Sequence, residues 1–175
     1  KKYNPLFDSK ARYFIITGGR GSGKSFAVTV FLTLLTMSRG IRILFTRFTM
    51  TSAHLSIIPE FLEKIGLLGF DETFNINKAE VVNAENKSDI LFRGIRTSAG
   101  NQTASLKSLQ GISTWVLDEA EELVDENIFD TIDLSIREKD IQNRIILILN
   151  PVTKEHWIYK RFFEEKGIEG GFNGV

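Results

Sequence analysis

The order of apolar and polar positions along the chain predicts strands and helices in alternation. Tyr13–Thr17 is a β-rich apolar run, followed by the glycine-rich stretch Gly18–Ser25 and a helical pattern to about Ser38 that Gly40 ends. Ile41–Thr46 reads as a second strand. Between Ser52 and Ile65 the residues Leu55, Ile58, Leu62 and Ile65 share one helical face, and Gly66 closes that helix. Short strands are expected at Phe74–Ile76, Val81–Ala84 and Ile90–Phe92, with a turn at Glu85–Lys87 joining the last two as a hairpin. A short helix is expected over Thr103–Leu109, a buried strand over Thr114–Leu117, a helix over Ile128–Ile136 and a strand over Arg144–Leu149. A last helix is expected over His156–Glu165, docking through Trp157, Tyr159, Phe162 and Phe163. Apolar strands alternating with helices imply a mostly parallel sheet covered on both faces.

Composition narrows the class. At 175 residues and 42% hydrophobic, the chain is the size of one domain and can bury a core. Basic and acidic residues balance at 22 each, so no global field favours nucleic acid, although a local basic track is left open. With no cysteine, disulfides and thiolate chemistry are excluded, which fits a reducing compartment. Apolar stretches such as Ile145–Leu149 fall far short of the roughly 18–20 residues that span a bilayer. The chain starts at Lys1 without Met and ends in the glycine-rich tail Gly167–Val175, which closes no element. We therefore expect residues 1–175 to be one domain of a longer protein.

The clearest chemistry lies in Gly18, Gly19, Arg20, Gly21, Ser22, Gly23, Lys24 and Ser25, a full match to G-x-x-x-x-G-K-[ST] between a strand and a helix. Glycines let the backbone curl so that successive N–H groups face phosphate oxygens, and the helix adds its free N-terminal N–H groups and dipole. Lys24 is expected to reach the β- and γ-phosphates of ATP and Ser25 to ligate Mg²⁺. Arg20, a long cation inside the loop, is read either as solvated or as a charge that meets the γ-phosphate or signals across a subunit boundary.

A second feature is the strand Trp115–Leu117 ending in Asp118 and Glu119. A carboxylate there can hold Mg²⁺, usually through water, and Asp118 fits. Glu119 follows where the strand has ended and is expected to be the general base that takes a proton from the attacking water. Glu121 and Glu122 are expected to be solvated or helix-capping. A third feature is Asn150, before Pro151 at the end of an apolar strand, placed to orient the water or to sense the γ-phosphate. Arg47, Arg93, Arg96 and Lys107 are candidates for a cation supplied to a neighbouring subunit. His54 and His156 lack any Cys partner and predict no zinc site. The polar stretch Gly94–Gly111 is either a surface loop or a segment that responds to nucleotide or touches DNA.

The combination TGGRGSGKS, WVLDEAEEL and ILILNP resembles the ATPase domain of tailed-phage large terminase subunits, over about Tyr3 to Phe163. The resemblance implies an α/β P-loop NTPase fold of the RecA-like additional-strand type, with a mostly parallel sheet flanked by helices. It matches the family's phosphate-loop lysine to Lys24, its loop arginine to Arg20, its magnesium aspartate to Asp118 and its catalytic glutamate to Glu119. Leu149, Asn150 and Pro151 match its coupling motif, and Tyr3–Phe7 loosely matches its adenine-contacting segment. It further implies Mg-dependent ATP hydrolysis that drives double-stranded DNA into a procapsid. The partners implied are the portal and procapsid, the small terminase subunit and sister subunits in a ring, with no membrane, in the host cell cytoplasm. The nuclease domain such proteins carry is not expected within this length. Alternatives are another P-loop ATPase acting on nucleic acid, of helicase or recombination type, and a non-hydrolysing nucleotide-binding module. Stimulation by procapsid rather than single-stranded DNA separates the first from a terminase. Glu119 argues against the second, and no acceptor pocket or lid for a small-molecule kinase is evident.

Overall fold

The computed structural model describes residues 2–38, 40–50, 57–77, 79–97, 100–101, 106 and 108–168. A short helix, α1 (Pro5–Asp8), precedes the first strand. The strands are β1 (Tyr13–Thr17), β2 (Arg42–Thr49), β3 (Phe74–Ile76), β4 (Glu80–Asn83), β5 (Asp89–Thr97), β6 (Gly100–Asn101), β7 (Thr114–Asp118) and β8 (Arg144–Leu149). They form one sheet in the order β1-β8-β7-β2-β5-β4-β3, with β6 on β5. The pairs from β1 through β5 are parallel, and β4, β3 and β6 add antiparallel.

The central strands are apolar on both sides because both faces are covered. Alternate residues such as Ile43, Phe45, Val116 and Ile146 pack under the helices α2 (Lys24–Leu35) and α3 (Ile57–Leu67). The intervening Leu44, Trp115, Leu117 and Leu147 pack against the helix Glu126–Asp133 and against Trp157 and Ile158. This is the doubly covered, mostly parallel α/β sheet expected from the alternation of apolar runs. Among the described residues no helix is long and apolar enough to cross a membrane.

Several boundaries differ from the sequence reading, each for a physical reason. Helix α2 stops at Leu35 rather than near Ser38. Thr33 and Thr36 turn their hydroxyls back onto Thr29 O and Thr33 O, and the amides of Asn83 and Asn86 capture Thr36 O from the β4–β5 hairpin. Gly66 lies inside α3 instead of closing it. A Cβ there would sit 2.8 Å from Asp71 Oδ1, so the glycine permits a close approach, while Gly69 at φ 75° makes the left-handed exit. Strand β5 runs on to Thr97, past Gly94, where a Cβ would stand 3.0 Å from Met50 O. The last helix is one α-turn, Trp157–Tyr159, followed by a π-helical turn, Lys160–Glu164, and the buried residue beside Trp157 is Ile158 rather than Tyr159. The expected helix over 103–109 and residues 52–56 lie largely outside the described residues.

The strand order bears most on chemistry. Strand β8 is inserted between β1, which feeds the glycine-rich loop, and β7, which ends in Asp118. The ends of β1 and β7 therefore stand about 10 Å apart, two strand spacings, with Asn150 emerging between them. Thr17 registers with Leu149, Asp118 with Ile148, and Arg47 with Asp118, so all three chemical segments leave the same edge of the sheet.

Candidate active site

That edge opens into a cleft of about 430 Å³. It is lined by the loop from Arg20 to Ser25, by Phe26, Arg47, Glu60 and Lys64, and by Asp118, Glu119, Glu121 and Asn150. Three distant parts of the sequence thus converge where open α/β sheets bind ligands.

The loop is shaped as its glycines require. Gly21 and Gly23 take φ of 72° and 81°, in the left-handed region, and a Cβ on Gly18 would stand 3.1 Å from Ser22 Oγ. Helix α2 begins at Lys24, so its first-turn N–H groups have no partner within the helix and face the cleft side of the loop. Lys24 Nζ donates to Gly18 O, to Gly19 O at 3.0 Å and to Asn150 Oδ1 at 3.4 Å. Its ammonium lies on the loop's own carbonyls and must leave them to reach a phosphate. Arg20 is exposed on the cleft wall. Tyr3 donates its phenol to Ser22 O at 2.8 Å, tying the N-terminal segment to the loop.

Asp118 is buried, and its Oδ2 accepts from Arg47 Nε at 2.9 Å and Nη2 at 2.7 Å. Arg47 also approaches Glu119 at 3.6 Å and Glu60 at 3.9 Å. Arg47 therefore serves carboxylates of its own chain in this structure. Arg93 is likewise engaged within the chain, on Ala79 O and Phe92 O, whereas Arg96 is exposed. Lys107 and His54 lie outside the described residues.

Glu119 adopts φ 54° and ψ 45°, left-handed backbone that is uncommon for a non-glycine residue and concentrates at functional sites. Burial raises its carboxyl pKa from the ordinary glutamate value; Arg47 opposes this, and Asp118, Glu122 and Glu121 reinforce it. The left-handed residue ends β7 and turns the chain into the 3-10 turn Ala120–Glu122. That turn divides two carboxylates that look alike in sequence. Glu122 is exposed, but Glu121 turns inward, and its Oε1 accepts from Asn150 Nδ2 at 2.7 Å. Glu121 is thus neither solvated nor capping. His156 Nδ1 accepts from Ile158 N at 3.2 Å, leaving Nε2 to donate to Glu121 O at 3.2 Å.

The donor set suits a hard cation. Ser25 and Asp118 line the same recess with oxygen ligands, and among the described residues no group of three His, Cys, Asp or Glu side chains could hold a metal alone. An ion bound here would complete its shell with phosphate oxygens and water, as Mg²⁺ does.

The family model of the phage terminase large subunit matches residues 10–170. No curated protein sequence matches the chain. Among solved structures, the chain is similar to the large terminase from a thermophilic bacteriophage in complex with ATP-gamma-S, with a TM-score of 0.68 at 10% identity over 94% of this chain and 41% of that one. It is similar to the bacteriophage Phi-29 viral genome packaging motor assembly, with a TM-score of 0.69 at 16% identity over 93% and 50%. The Thermus phage P74-26 large terminase ATPase domain matches with a TM-score of 0.61 at 19% identity over 91% and 67%. At these identities the likeness is one of fold, and the chain spans half or less of the first two of these chains.

Proposed function

The chain belongs to the phage terminase large subunit family, and from that premise we propose that it hydrolyses ATP to drive double-stranded viral DNA into a procapsid. The observation that carries this reading is the convergence of the glycine-rich loop, the Asp118–Glu119 pair and Asn150 on one cleft. A second carboxylate, Glu119, directly after the metal aspartate and lining the same cleft, supplies the base that hydrolysis needs and that a site only holding nucleotide does not. The family match also removes the main support for a helicase or recombination ATPase.

In this reading the loop 18–25 and the start of α2 hold the phosphates by backbone N–H groups, and Lys24 swings from Gly19 O to the β- and γ-oxygens. Ser25 and Asp118 would hold Mg²⁺, which when bound supplies charge neutralisation across the phosphates. Arg47 yields Oδ2 of Asp118 in part and stays close enough to neutralise Glu119. Glu119, lining the cleft beside Asp118, orients water and receives its proton. Arg20, exposed on the cleft wall, would act on the terminal phosphate or on a neighbouring subunit. The portal, procapsid, small terminase subunit and sister subunits in a ring are the partners such work requires, in the host cell cytoplasm. Residues 1–175 would form the ATPase domain of that motor.

The test is steady-state hydrolysis by the purified chain with Mg²⁺, with chelator, and with the Lys24→Ala variant. ATP turnover that depends on Mg²⁺ and on Lys24 is expected, raised by double-stranded DNA and procapsid. Turnover equal in all three conditions would reject the assignment of this cleft.

A further inference from the structure

The side-chain amide of Asn150 lies between two groups of opposite hydrogen-bonding character. The ammonium of Lys24 can only donate, and it faces Oδ1 at 3.4 Å. The carboxylate of Glu121 can only accept, and it takes Nδ2–H at 2.7 Å. Turning the amide over would set donor against donor and acceptor against acceptor, so one orientation satisfies both neighbours. We propose that Glu121 is a positioning residue that clamps the Asn150 amide so that its carbonyl oxygen, and not its NH₂ group, faces the nucleotide cleft.

The clamp is built into the fold. Left-handed Glu119 sends the chain into the turn that carries Glu121 under the end of β8. Across the turn, His156 donates to Glu121 O and Trp157 Nε1 donates to Leu123 O at 2.5 Å, anchoring this segment to the last helix. The bond from Asn150 is charge-assisted and stronger than an amide–amide contact. Glu121 Oε2 is buried without a hydrogen-bond partner among the described residues, so one oxygen of the carboxylate carries the contact.

This inference rests on the ATPase reading and decides between two roles for Asn150. A sensor of the γ-phosphate must donate to its oxygens; Glu121 takes one of the two N–H donors of Asn150 and holds the NH₂ group on its own side, with the carbonyl oxygen turned to Lys24. Once Lys24 moves to the phosphates, Oδ1 remains as an acceptor in the cleft that also holds Glu119. Phosphate oxygens cannot satisfy it, and a water can. Asn150 and Glu119 then hold the attacking water from two sides, which fixes its direction toward the phosphorus.

The experiment exchanges the two side chains' chemistry at constant net charge. Asn150→Asp alone sets two carboxylates against each other and is expected to lower kcat by about tenfold or more, with the affinity for Mg-ATP retained. Adding Glu121→Gln restores the clamp, because the introduced amide donates to one oxygen of the introduced aspartate while the other faces the cleft as an acceptor. Turnover should recover to within several-fold of wild type. Glu121→Gln alone replaces the charge-assisted acceptor by a neutral amide and should lower kcat several-fold, and Glu121→Ala should lower it further, neither raising KM. If Asn150 acts by donating to the phosphate, the double variant stays as slow as Asn150→Asp and the proposal is overturned. A second readout needs no turnover: the side-chain NH₂ resonances of Asn150, recorded without nucleotide, should move in Glu121→Ala. Unmoved resonances overturn the clamp whatever the chain does with ATP. A wild-type chain that fails to hydrolyse ATP would instead overturn the ATPase reading, and the resonances would still decide the clamp.

Discussion

Arg47 aims two donors at one oxygen of Asp118, Nε at 2.9 Å and Nη2 at 2.7 Å, across the in-register ends of neighbouring parallel strands. The acidic strand end therefore carries its own counter-ion, and a metal approaching Asp118 meets a guanidinium already there. Arg47→Ala should bind Mn²⁺ alone more tightly than wild type, read by electron paramagnetic resonance titration without nucleotide. It should also lower stability by about 1–3 kcal/mol, less than a fully buried pair costs because this one faces an open cleft. Unchanged or weaker Mn²⁺ binding would show that the two cations do not compete.

Glu119→Gln should separate chemistry from binding. The amide preserves shape and removes the carboxylate proposed to take the proton, so turnover should fall by about 10²- to 10⁴-fold with Mg-ATP affinity nearly unchanged. Single-turnover hydrolysis and calorimetry on the same variant provide the check. Near-normal hydrolysis would make Glu119 a turn-forming carboxylate and nothing more.

Lys24→Ala should abolish measurable nucleotide binding or turnover while leaving the melting temperature close to wild type. Its bonds in this structure go to loop carbonyls that water can satisfy, so their loss costs about 1 kcal/mol or less. A large fall in melting temperature would mean that the lysine holds the loop together, and the activity loss would then not report on phosphate contact.

Thr46 tests the sheet behind the site. Its hydroxyl donates to Val116 O at 3.1 Å and accepts from Trp115 Nε1 at 2.9 Å, and both side chains are fully buried. Thr46→Val is nearly isosteric but strands the indole N–H, which should cost about 1–3 kcal/mol. Urea denaturation measures it, and a cost near zero would show that the core relaxes around the lost bond.

Much of the fold is legible in the chain because its causes are local. The runs at Tyr13–Thr17, Phe74–Ile76 and Arg144–Leu149 are strands with the expected bounds, since burial leaves an apolar signature in the chain itself. Strand β5 outruns its apolar pattern because Arg93, Gly94 and Arg96 interrupt that pattern, and the backbone of Met50 and Arg96 against Gly94 explains the glycine.

By itself the sequence pointed to the segments that line the cleft. The loop needs eight consecutive residues with backbone freedom at fixed positions, and Asp118, Glu119 and Asn150 announce themselves by polar groups at the ends of apolar strands. The tertiary structure alone decided which of those ends are neighbours. Strand order and register depend on how distant segments pack, and no local periodicity encodes them. Inserting β8 between β1 and β7 set Asn150 between the loop and the acidic pair. Register brought Arg47 onto Asp118, 71 residues away. A left-handed turn at Glu119 sent Glu121 inward to Asn150 and left Glu122 in solvent, a difference between adjacent identical side chains that only backbone direction makes.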